Sequence, residues 1–179
     1  MFNKLIPVFI LIFLGACGTN GHEIPSPSSD GTIEGFVLTS PDFIQNDLLP
    51  RDLTCDGGNI SPALKWSGAP AGVKSFILTM RDPDAQGGDF LHWAVVDIPA
   101  SVSGVDRSAK FPAASRELKN DFDASGYGGP CPPAGTHHYV FSLYAVNTAN
   151  FSGTPVQLDS FLKAHALAKA VLTGRYKRK

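Results

Sequence analysis

Four side chains in two short segments are of the types that hold or move charge: Asp82 and His92 in one, His137 and Tyr139 in the other. The second segment reads Tyr127-Gly-Gly-Pro-Cys-Pro-Pro-Ala-Gly-Thr-His-His-Tyr139, a Gly/Pro loop leading into a strand over residues 139–146. Its prolines restrict φ and remove donors, while Gly128, Gly129 and Gly135 leave backbone open to close approach by a ligand. Side chains alternate along a strand, so His137 and Tyr139 share one face and His138 points to the other. The first segment, Met80-Arg81-Asp82-Pro83-Asp84-Ala85, leaves a strand, crosses a Gly-containing loop and returns at Leu91-His92-Trp93. Two imidazoles, a phenol and loop amides make a donor-rich set that suits a small oxyanion such as phosphate or carboxylate. Asp82 is expected to orient one imidazole. With a reference pKa near 6.5, each histidine is roughly a quarter protonated at pH 7, and a neighbouring carboxylate raises that share. Anion affinity is therefore expected to rise as pH falls from about 8 to about 6. From spacing alone, a turn held by Asp82 and His92 explains these residues equally well.

The order and content of these motifs resemble the phosphatidylethanolamine-binding protein family, in particular its bacterial Raf kinase inhibitor-like branch. The likeness rests on Asp82-Pro83-Asp84-Ala85 followed by His92-Trp93, then the Tyr127–Tyr139 stretch. It extends to Ser61-Pro62-Ala63-Leu64-x-Trp66, Asn120-Asp121-Phe122 and Gly174-x-Tyr176. The resemblance implies an anion pocket, used without metal, for phospholipid headgroups and related phosphoryl ligands. Carried over by position, its lining is Asp82, His92, Tyr127, Gly129, Pro130, Pro132, Pro133, His137 and Tyr139. The sequence departs from the family pattern twice. Gln86 stands where a proline usually follows Ala85, and His138 stands where an arginine usually separates His137 from Tyr139. Because residue 138 points away from the pocket, its change is expected to affect packing or a surface ion pair. The family name also implies a possible protein target, with the chain as regulator or inhibitor of a protease or kinase-like enzyme.

Catalysis is not expected. No Gly-x-Ser-x-Gly elbow is present and no serine is placed as an evident nucleophile. Cys131 with His137 could act as a nucleophile and base, though oxidation would silence the thiol. Asp82, His92 and His137 could converge on zinc, against which the resemblance argues. No catalytic residue, metal or cofactor is assigned, and a weak hydrolase is kept as the third reading.

The chain of 179 residues, 43% hydrophobic and 17% charged, is composed like an ordinary globular protein and sized for one domain. Its formal net charge is −1, and its one basic block is Arg175 to Lys179, so no footprint for nucleic acid is present. Residues 1–16 read as a secretory leader: Lys4 supplies a positive start and Leu5–Leu14 a core too short to span a bilayer. The leader ends Leu14-Gly15-Ala16-Cys17, which resembles a bacterial lipoprotein cleavage box and makes Cys17 the lipidated first residue of the mature chain. Simple secretion with a free Cys17 is the alternative. Gly18 in place of aspartate points, by the same resemblance, to a periplasm-facing outer-membrane anchor. Residues 17–31, rich in Pro, Ser and Gly, read as a flexible tether, and 32–179 as the folded domain. Cys55 and Cys131 remain, an even number in a secreted chain, which suggests a disulfide; two buried thiols are the alternative.

The elements that must position the site are short strands punctuated by Gly and Pro, hence an all-β fold: a two-sheet antiparallel β-sandwich with a C-terminal helix and small peripheral helices. Strands are predicted over 32–39, 63–66, 75–81, 91–98 and 139–146, and residues 47–59 read as loop. Phe76, Leu78 and Met80 share one face, with Ile77, Thr79 and Arg81 opposite. His92 is placed on the face of Ala94 and Val96. The helix is predicted from an Asp159 N-cap to Leu172-Thr173, stopped by Gly174, with Phe161, Leu162, Ala166, Ala170 and Val171 buried. A short helix near 115–119 is also expected. The oligomeric state leaves no signature in the sequence.

Overall fold

The structure, a computed structural model, describes residues 35–108 and 110–178. The leader, Cys17 and the tether lie outside the described residues, as does the start of the strand predicted over 32–39.

Two sheets form the frame. The smaller has the order β1-β3-β6, from β1 (Val37–Thr39), β3 (Leu64–Ser67) and β6 (Gly104–Val105). The larger has six strands in the order β2-β9-β8-β4-β5-β7. These are β2 (Asp47–Leu48), β4 (Ser75–Asp82), β5 (Phe90–Pro99), β7 (Arg116–Glu117), β8 (Thr136–Val146) and β9 (Ala166–Lys177). All neighbours in it are antiparallel except β2 and β9. This is the β-rich, two-sheet architecture expected from the pattern of short strands.

Central strands read apolar on both faces because both faces are covered. Phe76, Leu78, Met80, Trp93, Val95, Phe141 and Leu143 meet Leu38, Leu64 and Trp66 of the small sheet, and Phe36 just before it, in one core. On the opposite face Ile77, Ala94 and Val96 pack under Leu158 and Leu162 of helix α1 (Leu158–His165), with Leu118 and Phe151. The alternation predicted for β4 therefore matches the two cores.

The C-terminal helix is present but stops at His165, far short of Thr173. The Ala-rich continuation is β9, paired with β8 from Ala166↔Val146 to Thr136↔Lys177. Ala168, Ala170 and Leu172 face the core while Lys169, Val171 and Arg175 face out. That period of two is hard to see when the inward residues are alanines, and pairing along the whole of β8 outweighs their helix propensity. Ala166 and Val171 are accordingly exposed, not buried on a helix. Asp159 lies in the first turn, where it pairs with Arg81 at 3.1 Å, and the capping box belongs instead to Thr154 and Gln157. Gly174 ends no helix; it makes room for Leu49, whose Cδ2 would lie 2.4 Å from a Cβ there. His165 packs on Phe161 and bonds Asn147. The helix expected at 115–119 is strand β7. Arg116 pairs with buried Asp97 at 2.8 Å, and Glu117 accepts the Trp93 indole N–H at 2.9 Å.

Residues 51–60, a 3₁₀ turn (Arg51–Leu53) and the turns after it, are clamped onto the loop before β8. Cys55 and Cys131 are joined in a disulfide with a sequence separation of 76. In addition the Cys55 N–H donates to the Pro130 carbonyl at 3.1 Å. Closing a loop of this length withdraws entropy from the unfolded chain, an effect of about 2–4 kcal/mol in typical proteins. Cys55→Ser/Cys131→Ser should therefore lower stability by about that amount. Guanidinium titration of the variant against the oxidised protein measures it, and thiol counting of the denatured oxidised protein should find neither residue free.

Candidate functional site

The two segments singled out in the sequence meet at one end of the large sheet. Strand β4 pairs with β8 in unbroken register to Arg81↔Val140, which puts Asp82 beside the start of β8. There the His137 Nδ1–H donates to Asp82 Oδ2 at 2.7 Å, and the Asp84 N–H donates to Asp82 Oδ1 at 2.9 Å. The carboxylate is 3% exposed, so it is held by charge-assisted hydrogen bonds instead of water. His137 and Tyr139 are buried while His138 between them is exposed, as period-2 geometry requires.

His92 arrives by a route that alternation does not describe. In the β4–β5 ladder Met80 pairs with Trp93 and Arg81 with Leu91, which leaves His92 as the extra residue of a β-bulge. Leu91 lies in the core under the helix and Trp93 in the core between the sheets, although they are two residues apart. The bulge turns His92 away from the face of Ala94 and Val96, correcting the sequence expectation. It instead sets His92 edge-on to Tyr139, ring centroids 5.2 Å apart. Bulges commonly re-aim a side chain in this way.

Each imidazole is held in one tautomer by the same device. His92 Nδ1–H donates to the Gly128 carbonyl at 2.7 Å, as His137 Nδ1–H does to Asp82. Among the described residues neither Nε2 has a protein partner. The Tyr139 hydroxyl sits near the Asp82 carboxylate and the Cys131 backbone yet makes no hydrogen bond, although it is sealed from solvent. Burial, reinforced by the charge of Asp82, raises its pKa, so it remains a donor. Among the described residues no group of three or more His, Cys, Asp and Glu is arranged to hold a metal ion.

Loop 127–133 forms the wall. Gly129 N–H donates to Asn59 Oδ1 at 2.7 Å, and a Cβ on Gly129 would lie 2.4 Å from the Leu53 carbonyl. Pro130 and Pro132 are buried, and Pro133 is exposed. Tyr127 acts as a strut: its hydroxyl donates to the Leu53 carbonyl at 2.8 Å and its ring stands against Trp93. That hydroxyl is thereby occupied by the scaffold. Two residues outside the expected lining pack on His92, Phe90 tilted and Phe122 edge-on, and Phe122 is 48% exposed at the rim. Asn120 fixes that rim by accepting the Phe122 and Ala124 N–H groups and donating to the Gly126 carbonyl. Asp121 accepts the Leu91 N–H at 2.6 Å, next to the bulge. The Asn120-Asp121-Phe122 run carried part of the family likeness, but its contact with His92 had no signal in spacing. His138 forms the surface pair anticipated for position 138, with Asp84 Oδ2 at 2.7 Å, and this bond holds the Asp84 carboxyl below its usual pKa.

The model of the family described as phosphatidylethanolamine-binding protein matches residues 39–177. The chain belongs to that family. It is 35% identical over 185 residues to a Mycobacterium tuberculosis protein named putative lipoprotein LppC, covering 93% of this chain and 91% of that one. It is 39% identical over 143 residues to a UPF0098 protein of Methanothermobacter thermautotrophicus, covering 76% and 95%. The crystal structure of Escherichia coli YbcL, described as a new member of the mammalian PEBP family, superposes with a TM-score of 0.76 at 36% identity. That match covers 80% of this chain and 99% of YbcL. A phosphatidylethanolamine-binding protein homologue from Chlamydia trachomatis, CT736, gives the same TM-score at 30% identity, covering 82% and 100%.

Burial lowers the pKa of His92, only partly offset by the Gly128 carbonyl and the charge of Asp82. Unfolding returns it toward about 6.5, so below that pH the unfolded chain binds a proton that the folded chain refuses. The contribution of His92 to stability is full above about pH 6.5 and is lost as pH falls through its folded value. Each unit of lowering amounts to at most about 1.4 kcal/mol. His92→Asn, which can keep a donor toward Gly128, should flatten the slope of unfolding free energy against pH between about 7 and 5. An unchanged slope in urea titrations across that range would refute the assignment.

Proposed function

We propose that this phosphatidylethanolamine-binding protein family member binds a small anionic group, phosphate, a phosphoryl headgroup or a carboxylate, between Asp82, His92, His137 and Tyr139. The observation that supports this most is the pair of imidazoles, His92 and His137, each bonded at Nδ1 so that Nε2 is left without a protein partner among the described residues. The Tyr139 hydroxyl, sealed from water in this structure, would meet a ligand oxygen only if its cover moved. With Nδ1–H bonded to Asp82, Nε2 of His137 would donate in the imidazolium form, while Nε2 of His92, whose burial disfavours the charged form, would accept from a protonated ligand oxygen. The carboxylate of Asp82 repels an anion directly, so its part is to hold His137 in place. The exposed edge of Phe122 would meet whatever the anionic group is attached to. No reacting group is required of the protein in this reading.

A bacterial relative 35% identical to this chain is named putative lipoprotein. With the Leu14-Gly15-Ala16-Cys17 box, this supports removal of residues 1–16 and anchoring through a lipid on Cys17 in the cell envelope. The domain of residues 32–179 would then work outside the cytoplasm, on the tether 17–31.

Titration with inorganic phosphate followed by calorimetry tests the pocket. His137→Ala should weaken binding by at least about tenfold, the worth of one charge-assisted hydrogen bond of about 1.5–3 kcal/mol. The rise of anion affinity toward pH 6 expected from two histidines does not extend to His92, whose burial disfavours the charged form. Saturable binding of equal strength in wild type and His137→Ala would reject the site.

A further inference from the structure

The end of the parallel ladder between β2 and β9 opens a second cleft, built from none of Asp82, His92, His137 and Tyr139. The Leu49 N–H donates to the Arg175 carbonyl at 2.8 Å, and Pro50 has no N–H with which to continue. At φ −53° and ψ 141°, Pro50 turns the chain off the sheet into the turn Arg51–Leu53, while β9 runs on to Lys177. The segments part, and between them lies a cleft of about 1030 Å³. Leu48, Leu49 and Arg51 line one side, and Tyr176, Lys177 and Arg178 the other.

The cleft carries three cations against one carboxylate, Asp56, in a chain whose formal net charge is −1. Asp56 is already engaged, accepting the Tyr176 hydroxyl at 2.8 Å and lying 3.3 Å from Arg178 Nε. Arg51 and Lys177 make no ion pair among the described residues. Beside them Leu48 is 60% exposed at the lip. A single exposed leucine needs no explanation, but this one borders a concave, cationic surface at the upper end of the usual size for ligand sites. Inorganic phosphate would satisfy the cations and leave the apolar wall wet; an uncharged apolar molecule would do the reverse.

We propose that this cleft binds an anionic amphiphile, a carboxylate or phosphoryl head carried on an acyl chain. The head meets Arg51 and Lys177, and the chain lies along Leu48 and the ring of Tyr176. Affinity then depends on both ends of the ligand: on charge, and on the number of methylenes removed from water.

NMR titration of the isotope-labelled protein with octanoate, butanoate, octyl phosphate and inorganic phosphate tests this. Octanoate or octyl phosphate should shift resonances of residues 48–51 and 176–178 saturably, and octanoate should bind at least about tenfold tighter than butanoate. The tighter of the two octyl heads tells a fatty acid from a phosphoryl lipid. Arg51→Glu/Lys177→Glu, on exposed side chains, should weaken octanoate binding at least about tenfold while leaving the phosphate response around His137 intact. Equal affinity for butanoate and octanoate, shifts confined to residues 82–92 and 127–139, or full affinity in the double variant would each overturn the proposal. An acidic hexapeptide saturating the same resonances more tightly than octanoate would also overturn it, in favour of a protein partner.

Discussion

A carboxylate buried to 3% exposure has to be compensated, and the surroundings of Asp82 follow from that need. His137, 55 residues later, supplies one donor and the Asp84 N–H the other. Both donors fix neighbours in turn. His137 is locked in one tautomer with Nε2 free of protein partners, and the 82–85 turn is pinned to the start of β8. The outer pair, Asp84 with His138, repeats the pattern at the surface. Two aspartate–histidine bonds, one dry and one wet, therefore fasten the same turn to the same strand.

The opposite wall is made rigid by different means. The 51–60 segment grips the loop through the disulfide, the Cys55–Pro130 and Gly129–Asn59 bonds and the Tyr127 strut. The Gly128 and Gly129 N–H groups and the Gly128 and Pro130 carbonyls are each held by a partner outside the loop. This suits a preorganised anion site, whose donors should not have to be ordered when the guest arrives.

Much of this was legible in the sequence, because it depends on alternation and composition. The shared face of His137 and Tyr139, the outward aim of His138 and the two-faced burial of β4 all follow from a period of two. The family likeness supplied the pairing of the two segments. What stayed hidden depends on register with a partner strand. The bulge at His92 exists only relative to β4, and no local feature of Leu91-His92-Trp93 announces it. Alanines over 166–170 conceal strand alternation, so helix propensity seemed to speak where pairing with β8 decides. The contacts of Phe90 and Phe122 with His92 likewise come from a loop fold held by Asn120.

The place of β9 in the large sheet has a consequence for the chain's history. Among the described residues it is the last strand in chain order, yet it lies inside the sheet, between β8 and β2. Until residues 166–177 have been synthesised, β8 presents a long unpaired edge and β2 has nothing to pair with. Domains whose contacts span most of the sequence fold slowly and expose such edges meanwhile. The larger sheet therefore cannot close before residues 166–177 have emerged, and the strands already made must wait for the segment that joins β8 to β2.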